Sequence, residues 1–243
     1  MSDWAAKRFW TKVTVERDDT GFAVRLDGRP IKTPAKTPLI MPTQAMADAI
    51  AAEWDAQDER VNPLSMPVTR SANAALDKTG PQHAEVADMI AAYGETDLLC
   101  YRADSPQGLV SAQNMAWDPL LDWAETALGA RLALVSGVMF KAQDPSAIKT
   151  LNTQVHALDA FELTAFHDLV SLSGSLILGF AAIRNHLSAE ALWPLSRIDE
   201  DWQIAQWGED EEASALAETK RQAFLHADRF YHLSQKTDDA LNH

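Results

Sequence analysis

The first forty residues alternate on a period of two. Val13 and Val15 are interleaved with Lys12, Thr14 and Glu16, and Phe22, Val24 and Leu26 with Ala23 and Arg25. That spacing predicts two short strands, each with one wet face. Asp27-Gly28 between Leu26 and Arg29 suits a two-residue hairpin turn, which needs positive φ at both central positions. Arg29 to Thr33 is the expected return strand. Pro30, Pro34, Pro38 and Pro42 remove ladder donors, so strands here should be short or at sheet edges. From Thr43 the period changes. Met46, Ile50 and Trp54 recur every four residues behind a Thr N-cap, predicting a helix. Further helices are expected over 68–78 and 82–93, the second ended by Gly94, and Leu98 to Tyr101 could return to the sheet.

After Ala103-Asp104-Ser105-Pro106 the pattern is mostly helical. Helices are expected from Leu109 to Leu128, bent at Pro119, then over 145–158 and 161–183. Another should follow a Ser188 cap, and a last one should run from Glu212 to Leu233. Arg131 to Val135 is a candidate strand. The fold class expected is α+β: a β-rich N-terminal domain with short helices (1–104) and a larger helical C-terminal domain (105–243).

Charge narrows the function. Lys and Arg total 21 against 35 Asp and Glu, a net charge of −14. Such a field repels phosphate polymers and anionic membrane surfaces, so nucleic acid is not an expected partner. The longest nearly uncharged stretch, Leu169 to Ile183, is too short to span a bilayer. The lone cysteine, Cys100, can form neither an internal disulfide nor a thiolate zinc site, which suits a reducing compartment. Met1 to Trp10 has no targeting character, so a cytoplasmic protein is expected.

Candidate chemistry is sparse. Ser173 and Ser175 lie in an apolar stretch without a Gly-x-Ser-x-Gly elbow, and are expected in a buried helix with Gly174 and Gly179 permitting close packing. The histidines show no metal-ligand spacing, and neither phosphate-loop pattern occurs, so no metal, cofactor or small-molecule substrate is expected. His167-Asp168 could support acid–base work; a hydrolase using the acids with His167 is the alternative reading. Trp4, Trp10, Trp193, Trp202 and Trp207 suit core packing as well as a partner surface.

The acids are the strongest anomaly. Between Arg197 and Lys220 lie Asp199, Glu200, Asp201, Glu209, Asp210, Glu211, Glu212 and Glu218, with no base among them. Asp199 to Asp201 fall in a helical pattern shared with Leu195, Ile198 and Trp202. Glu209 to Glu212 follow Trp207-Gly208, where one helix should stop and another start. Glu211 and Glu212 could be helix-start signals, favoured by the dipole and free N–H groups. Alternatively, an acidic corner bordered by Trp202 and Trp207 would recognise a basic protein. Both readings stand on the residues alone.

Longer blocks carry a resemblance. Arg8-Phe-Trp-x-x-Val-x-Val15, Gly21-Phe-x-Val-x-Leu-Asp-Gly-Arg-Pro-x-Lys-Thr-Pro34, Ala51-Ala-Glu-Trp54 and Met66-Pro-x-Thr-Arg-x-Ala-Asn73 occur in order. Thr96-Asp-Leu-Leu-Cys-Tyr-Arg102, Trp117-Asp-Pro-Leu-Leu121, His167-Asp-x-x-x-x-Ser-Gly-Ser-x-x-Leu-Gly179 and Leu195-Ser-Arg-x-Asp-Glu-Asp-Trp-Gln203 follow. Across nearly the whole chain this resembles the assembly chaperones for the α subunit of F1-ATPase. The resemblance implies a β-rich domain followed by a helical one, and a non-enzymatic role. Such a protein would hold the nucleotide-binding region of the unassembled α subunit until the β subunit replaces it. The family's functionally important acid after Trp-Gly falls on Glu211. Mitochondrial members, which act in the matrix, carry Trp and His-Asp soon after it, whereas this chain continues Glu212-Ala213-Ser214. The lack of transit character in Met1 to Trp10 suits a bacterial, cytoplasmic member of the family. The partner-binding residues expected are Asp201, Trp202, Trp207, Glu209, Asp210, Glu211 and Glu212.

Overall fold

The computed structural model describes residues 7–137 and 140–236. Trp4 and the N-terminal targeting expectation over residues 1–6 fall outside that range. Four strands form the expected antiparallel sheet: β1 (Val13–Arg17), β2 (Phe22–Leu26), β3 (Arg29–Pro30) and β4 (Ile40–Met41). β2 is central. It pairs with β1 in the register Val13 opposite Leu26, and on its other edge with β3 and β4. Asp27 and Gly28 have φ of 48° and 79°, the hairpin geometry expected of Asp-Gly. The return strand is only two residues long, and the proline-rich segment rejoins through a Lys32–Pro38 bridge.

The helices are α1 (Gln44–Asp55), α2 (Pro67–Ala74), α3 (His83–Ala91), α4 (Gln107–Trp123), α5 (Pro145–His156), α6 (Ala160–Ser173), α7 (Leu176–Ile183), α8 (Ala189–Leu195), α9 (Ile198–Trp207) and α10 (Glu211–Ser234). Thr43 and Ser188 cap α1 and α8 through their hydroxyls, accepting from Met46 and Ala191 N–H. Tyr101–Arg102 (β5) does not rejoin the sheet. It pairs in parallel with Val135–Ser136 (β6), all that forms of the strand expected over 131–135.

Two compact units divide the chain. Among the described residues, the first comprises 7–82, 160–164 and 229–236; the second comprises 83–137, 140–159 and 165–228. The boundary expected at 104/105 thus falls inside the second unit, because α3 packs on α5 rather than on the sheet. In the first unit α1 lies on β1 and β2, burying Val24, Met41, Met46 and Ile50. The Glu53 carboxylate of α1 accepts from the Val68 and Thr69 N–H groups at 2.7 and 2.8 Å, satisfying donors that open α2. The Thr43 hydroxyl also donates to the Leu233 carbonyl at the end of α10.

The second unit is centred on α7, all eight of whose residues are buried. One helix was expected over 161–183; the structure breaks it at Gly174. That residue has φ +74°, costly for any residue with a Cβ, and Ser175 then caps α7 by accepting from Leu178 N–H. Gly179 allows the close approach expected of it. A Cβ there would lie 2.7 Å from Val170 Cγ2 and 3.0 Å from Phe166 Cε2. Gly179→Val should therefore cost about 1–3 kcal/mol by overpacking, checked by urea midpoints.

Asp97 is wholly buried at the start of α7. It accepts from the Ile177 and Leu99 N–H groups at 3.0 Å each and from the Ser175 hydroxyl at 2.8 Å. Desolvation lifts its pKa to about 6 despite these donors. A folded-state pKa raised above the unfolded 3.8 means that the native state binds this proton more readily. The associated stability is present below the unfolded pKa and is lost as pH rises through about 6. Denaturation midpoints of wild type and Asp97→Asn should therefore diverge in favour of wild type as pH falls from 7 to 4, by up to about 3 kcal/mol.

Candidate functional site

The acidic corner is built from α8, α9 and α10. Helix α8 ends at Leu195, and the chain turns through Ser196 and Arg197 before α9 begins at Ile198. The helical pattern shared by Leu195, Ile198 and Trp202 is thus interrupted, and Asp199, Glu200 and Asp201 do not lie on one continuous helix with Leu195. They are the first turn of α9, where free N–H groups and the helix dipole favour carboxylates. Helix α9 ends on Trp207, and Gly208 (φ +90°, ψ 167°) redirects the chain so that α10 begins at Glu211. That backbone conformation is open to glycine and strained for other residues.

Three contacts hold the start of α9 and the end of α8 to α4. Trp202 packs so closely on the first turn of α4 that a Cβ on Gly108 would lie 2.5 Å from its Cη2 atom. Gln113 donates to Asp199 Oδ1 at 2.6 Å while its own carbonyl oxygen accepts from Ala103 N–H at 2.8 Å. The indole N–H of the buried Trp117 donates to the Leu195 carbonyl at 2.7 Å. Trp202 is accordingly half-buried, a packing residue more than an exposed one.

Trp207 is the exposed indole, at 81%. Ile204 and Leu216, on the two helices flanking the turn, are 38% and 56% exposed. Glu209, Asp210, Glu211 and Glu212 are all exposed. Asp210 has a local role, in which its Oδ1 accepts from Ala213 N–H at 2.7 Å and caps α10. Glu211 and Glu212 stand in the first turn of that helix. The residues of the run therefore differ in their local roles. Asp210 caps, whereas Asp201, Glu209, Glu211 and Glu212 have no hydrogen-bond or ion-pair partner among the described residues. The nearby guanidiniums are engaged elsewhere: Arg197 with Glu200 at 2.9 Å and Arg221 with Glu218 at 2.8 Å. Among the described residues, the charge at the turn is unanswered.

Between α8, α9 and α10 lies an open cavity of about 310 Å³, lined by Trp193, Pro194, Ile204, Ala217, Asp201 and Glu209 among others. It was not anticipated from the sequence. Ala213 and Ala217, one turn apart on α10, serve any helix as good formers, and only the packed helices show that their small side chains leave space.

Of the residues considered for catalysis, His167 pairs with its neighbour Asp168, and both serines are engaged in the packing of α6 and α7. His167 Nδ1 lies 2.9 Å from Asp168 Oδ1 on a partly exposed face of α6. The Ser173 hydroxyl is buried and donates to the Leu169 carbonyl at 2.7 Å; that of Ser175 donates to Asp97 and caps α7. Among the described residues, no three His, Cys, Asp or Glu side chains could hold a metal ion, and no helix is long and apolar enough to cross a membrane.

Comparison with known proteins agrees with this architecture. Residues 7–125 match the family model described as ATP12 chaperone protein. The crystal structure of Atp12 from Paracoccus denitrificans is 51% identical, superposes with a TM-score of 0.94, and is covered in full by 96% of this chain. An aspartate-to-lysine mutant of the same bacterial protein is 50% identical, with the same TM-score of 0.94 and coverage of 96% of this chain and 100% of that one. Protein atp12, mitochondrial, of Schizosaccharomyces pombe is 25% identical over 222 residues, covering 86% of this chain and 76% of that protein.

Two substitutions separate the roles of the acids. Asp210→Ala should lower stability by about 1 kcal/mol through loss of the cap, whereas Glu209→Gln should leave it within about 0.5 kcal/mol. Thermal or urea unfolding of the two variants checks this.

Proposed function

This chain belongs to the ATP12 chaperone family, and we propose that it holds the unassembled α subunit of F1-ATPase through the turn between α9 and α10 until the β subunit takes its place. The observation that carries this reading is the juxtaposition at that turn. An indole 81% exposed stands beside carboxylates that no cation among the described residues neutralises. Leaving a tryptophan in water and like charges adjacent both cost free energy, and a basic, partly apolar client surface relieves both at once.

The chemistry suits temporary capture. Unpaired carboxylates raise the rate of encounter with a cationic surface over a Debye length of about 8 Å at physiological salt. Exposed Trp207, Ile204 and Leu216 then supply apolar contact of the kind concentrated at interface centres. Nothing in this role breaks a bond. The proposed setting is the bacterial cytoplasm, and for mitochondrial relatives the matrix.

The test is co-expression of this protein with isolated α subunit. The α subunit should remain soluble in complex with it, and added β subunit should release it. Glu211→Lys and Trp207→Ala should each weaken capture about tenfold or more while unfolding within about 1 kcal/mol of wild type. Soluble α subunit recovered equally with the folded double variant would place the client elsewhere.

A further inference from the structure

The cavity between α8, α9 and α10 is a different feature from the exposed Trp207 edge. Its chemistry specifies a narrower ligand than a basic surface. Resting on the client-binding reading above, we infer that this cavity receives a single arginine side chain of the client.

The apolar part of the wall comes from Trp193, Pro194, Ile204 and Ala217. Trp193 is 6% exposed and packed against Phe224 with ring centroids 5.6 Å apart, so the wall is preformed and does not need ordering on binding. A preformed wall lowers the entropic cost of capture. The polar part is acidic. Asp201 and Glu209 line the cavity from the start of α9 and from the turn before α10, and neither has a partner among the described residues. Arg197 and Glu218 also line the cavity, and each is already paired, Arg197 with Glu200 at 2.9 Å and Glu218 with Arg221 at 2.8 Å. Glu218 also accepts from Gln222 at 2.7 Å. The cavity therefore presents two free carboxylates above an aromatic and aliphatic floor.

An arginine side chain complements both parts. Its methylenes and flat, weakly hydrated guanidinium lie against apolar and indole surface, and its forked N–H groups serve two carboxylate oxygens together. A lysine offers a compact, strongly hydrated ammonium that loses more on leaving water and cannot make the forked contact. At about 310 Å³ the cavity is at the small end of ligand pockets, fitting a side chain and not an extended segment. Binding at this position draws one carboxylate of α9 and one of the following turn toward a single cation, which pins the turn beside Trp207.

The experiment follows the eight tryptophan indole N–H signals of the ¹⁵N-labelled full-length protein, with Trp193 assigned by Trp193→Phe. The protein is titrated with N-acetyl-arginine amide and, separately, N-acetyl-lysine amide. The arginine compound should shift the Trp193 signal saturably and bind about tenfold more tightly than the lysine compound. The Asp201→Asn/Glu209→Gln variant, altered only at exposed side chains, should lose about tenfold or more of that affinity. Ala217→Phe should abolish the shift by filling the cavity. An unmoved Trp193 signal, equal response to both amides, or an unchanged response in the double variant overturns the inference. α-Subunit capture is assayed on the same samples. Capture by wild type without arginine binding in the cavity defeats this inference and leaves the proposed function standing. Arginine binding without α-subunit capture overturns the proposed function, and with it the client as the source of the arginine, and leaves only the cavity's preference for arginine.

Discussion

Mutual repulsion among carboxylates that neighbouring cations leave unanswered is the constraint on which the functional reading depends. Arg197 and Arg221 are close in sequence to the acids but are occupied by Glu200 and Glu218. Asp201, Glu209, Glu211 and Glu212 consequently face solvent with no ion-pair partner among the described residues. A protein under selection for stability alone would gain by placing a lysine among them. Gly208, in a backbone conformation open to glycine, redirects the chain after Trp207, the last residue of α9, which is left in water. The rest of the second unit holds this corner in place. Trp202 is lodged on Gly108, Gln113 grips Asp199, and Trp117 reaches the end of α8.

Local signals along the chain were legible wherever one residue type has one physical role. Asp27-Gly28 made its hairpin because both positions accept positive φ, and Thr43 and Ser188 capped helices because their hydroxyls replace a missing carbonyl. Where the pattern is apolar on every side, periodicity has nothing to report. Gly174 could thus split α6 from α7 inside a run that scans as one helix. The break at Ser196–Arg197 was hidden similarly, since Leu195, Ile198 and Trp202 keep a helical spacing across it. Membership of the compact units was invisible for another reason. Residues 160–164 and 229–236 belong with the sheet although they are distant from it in sequence, and no linear boundary can express that.

The candidate site was half legible. Its acids and Trp207 stand out as an unbalanced string, and the structure leaves them exposed. What the string could not reveal is the division of labour within it: Asp210 capping a helix, Trp202 packed on α4, and Asp201 and Glu209 facing a cavity. Ala213 and Ala217 carried no signal, because a helix accepts alanine anywhere and a cavity is a property of three helices together. Apolar contact without deep burial, and charge without internal pairing, suit the proposed capture of a partner that arrives and leaves. Electrostatic attraction speeds arrival, and a competing subunit can take over a contact whose affinity is spread thinly.

Hydrogen–deuterium exchange of this protein, alone and saturated with isolated α subunit, reads out where the client sits. Slowed exchange should concentrate between residues 198 and 218, at the end of α9, the turn and the first turns of α10. The sheet over 13–41 and helix α1 should exchange as in the free protein. Protection confined to the sheet and α1, with 198–218 exchanging unchanged, would contradict the placement of the client and the role given to the acids.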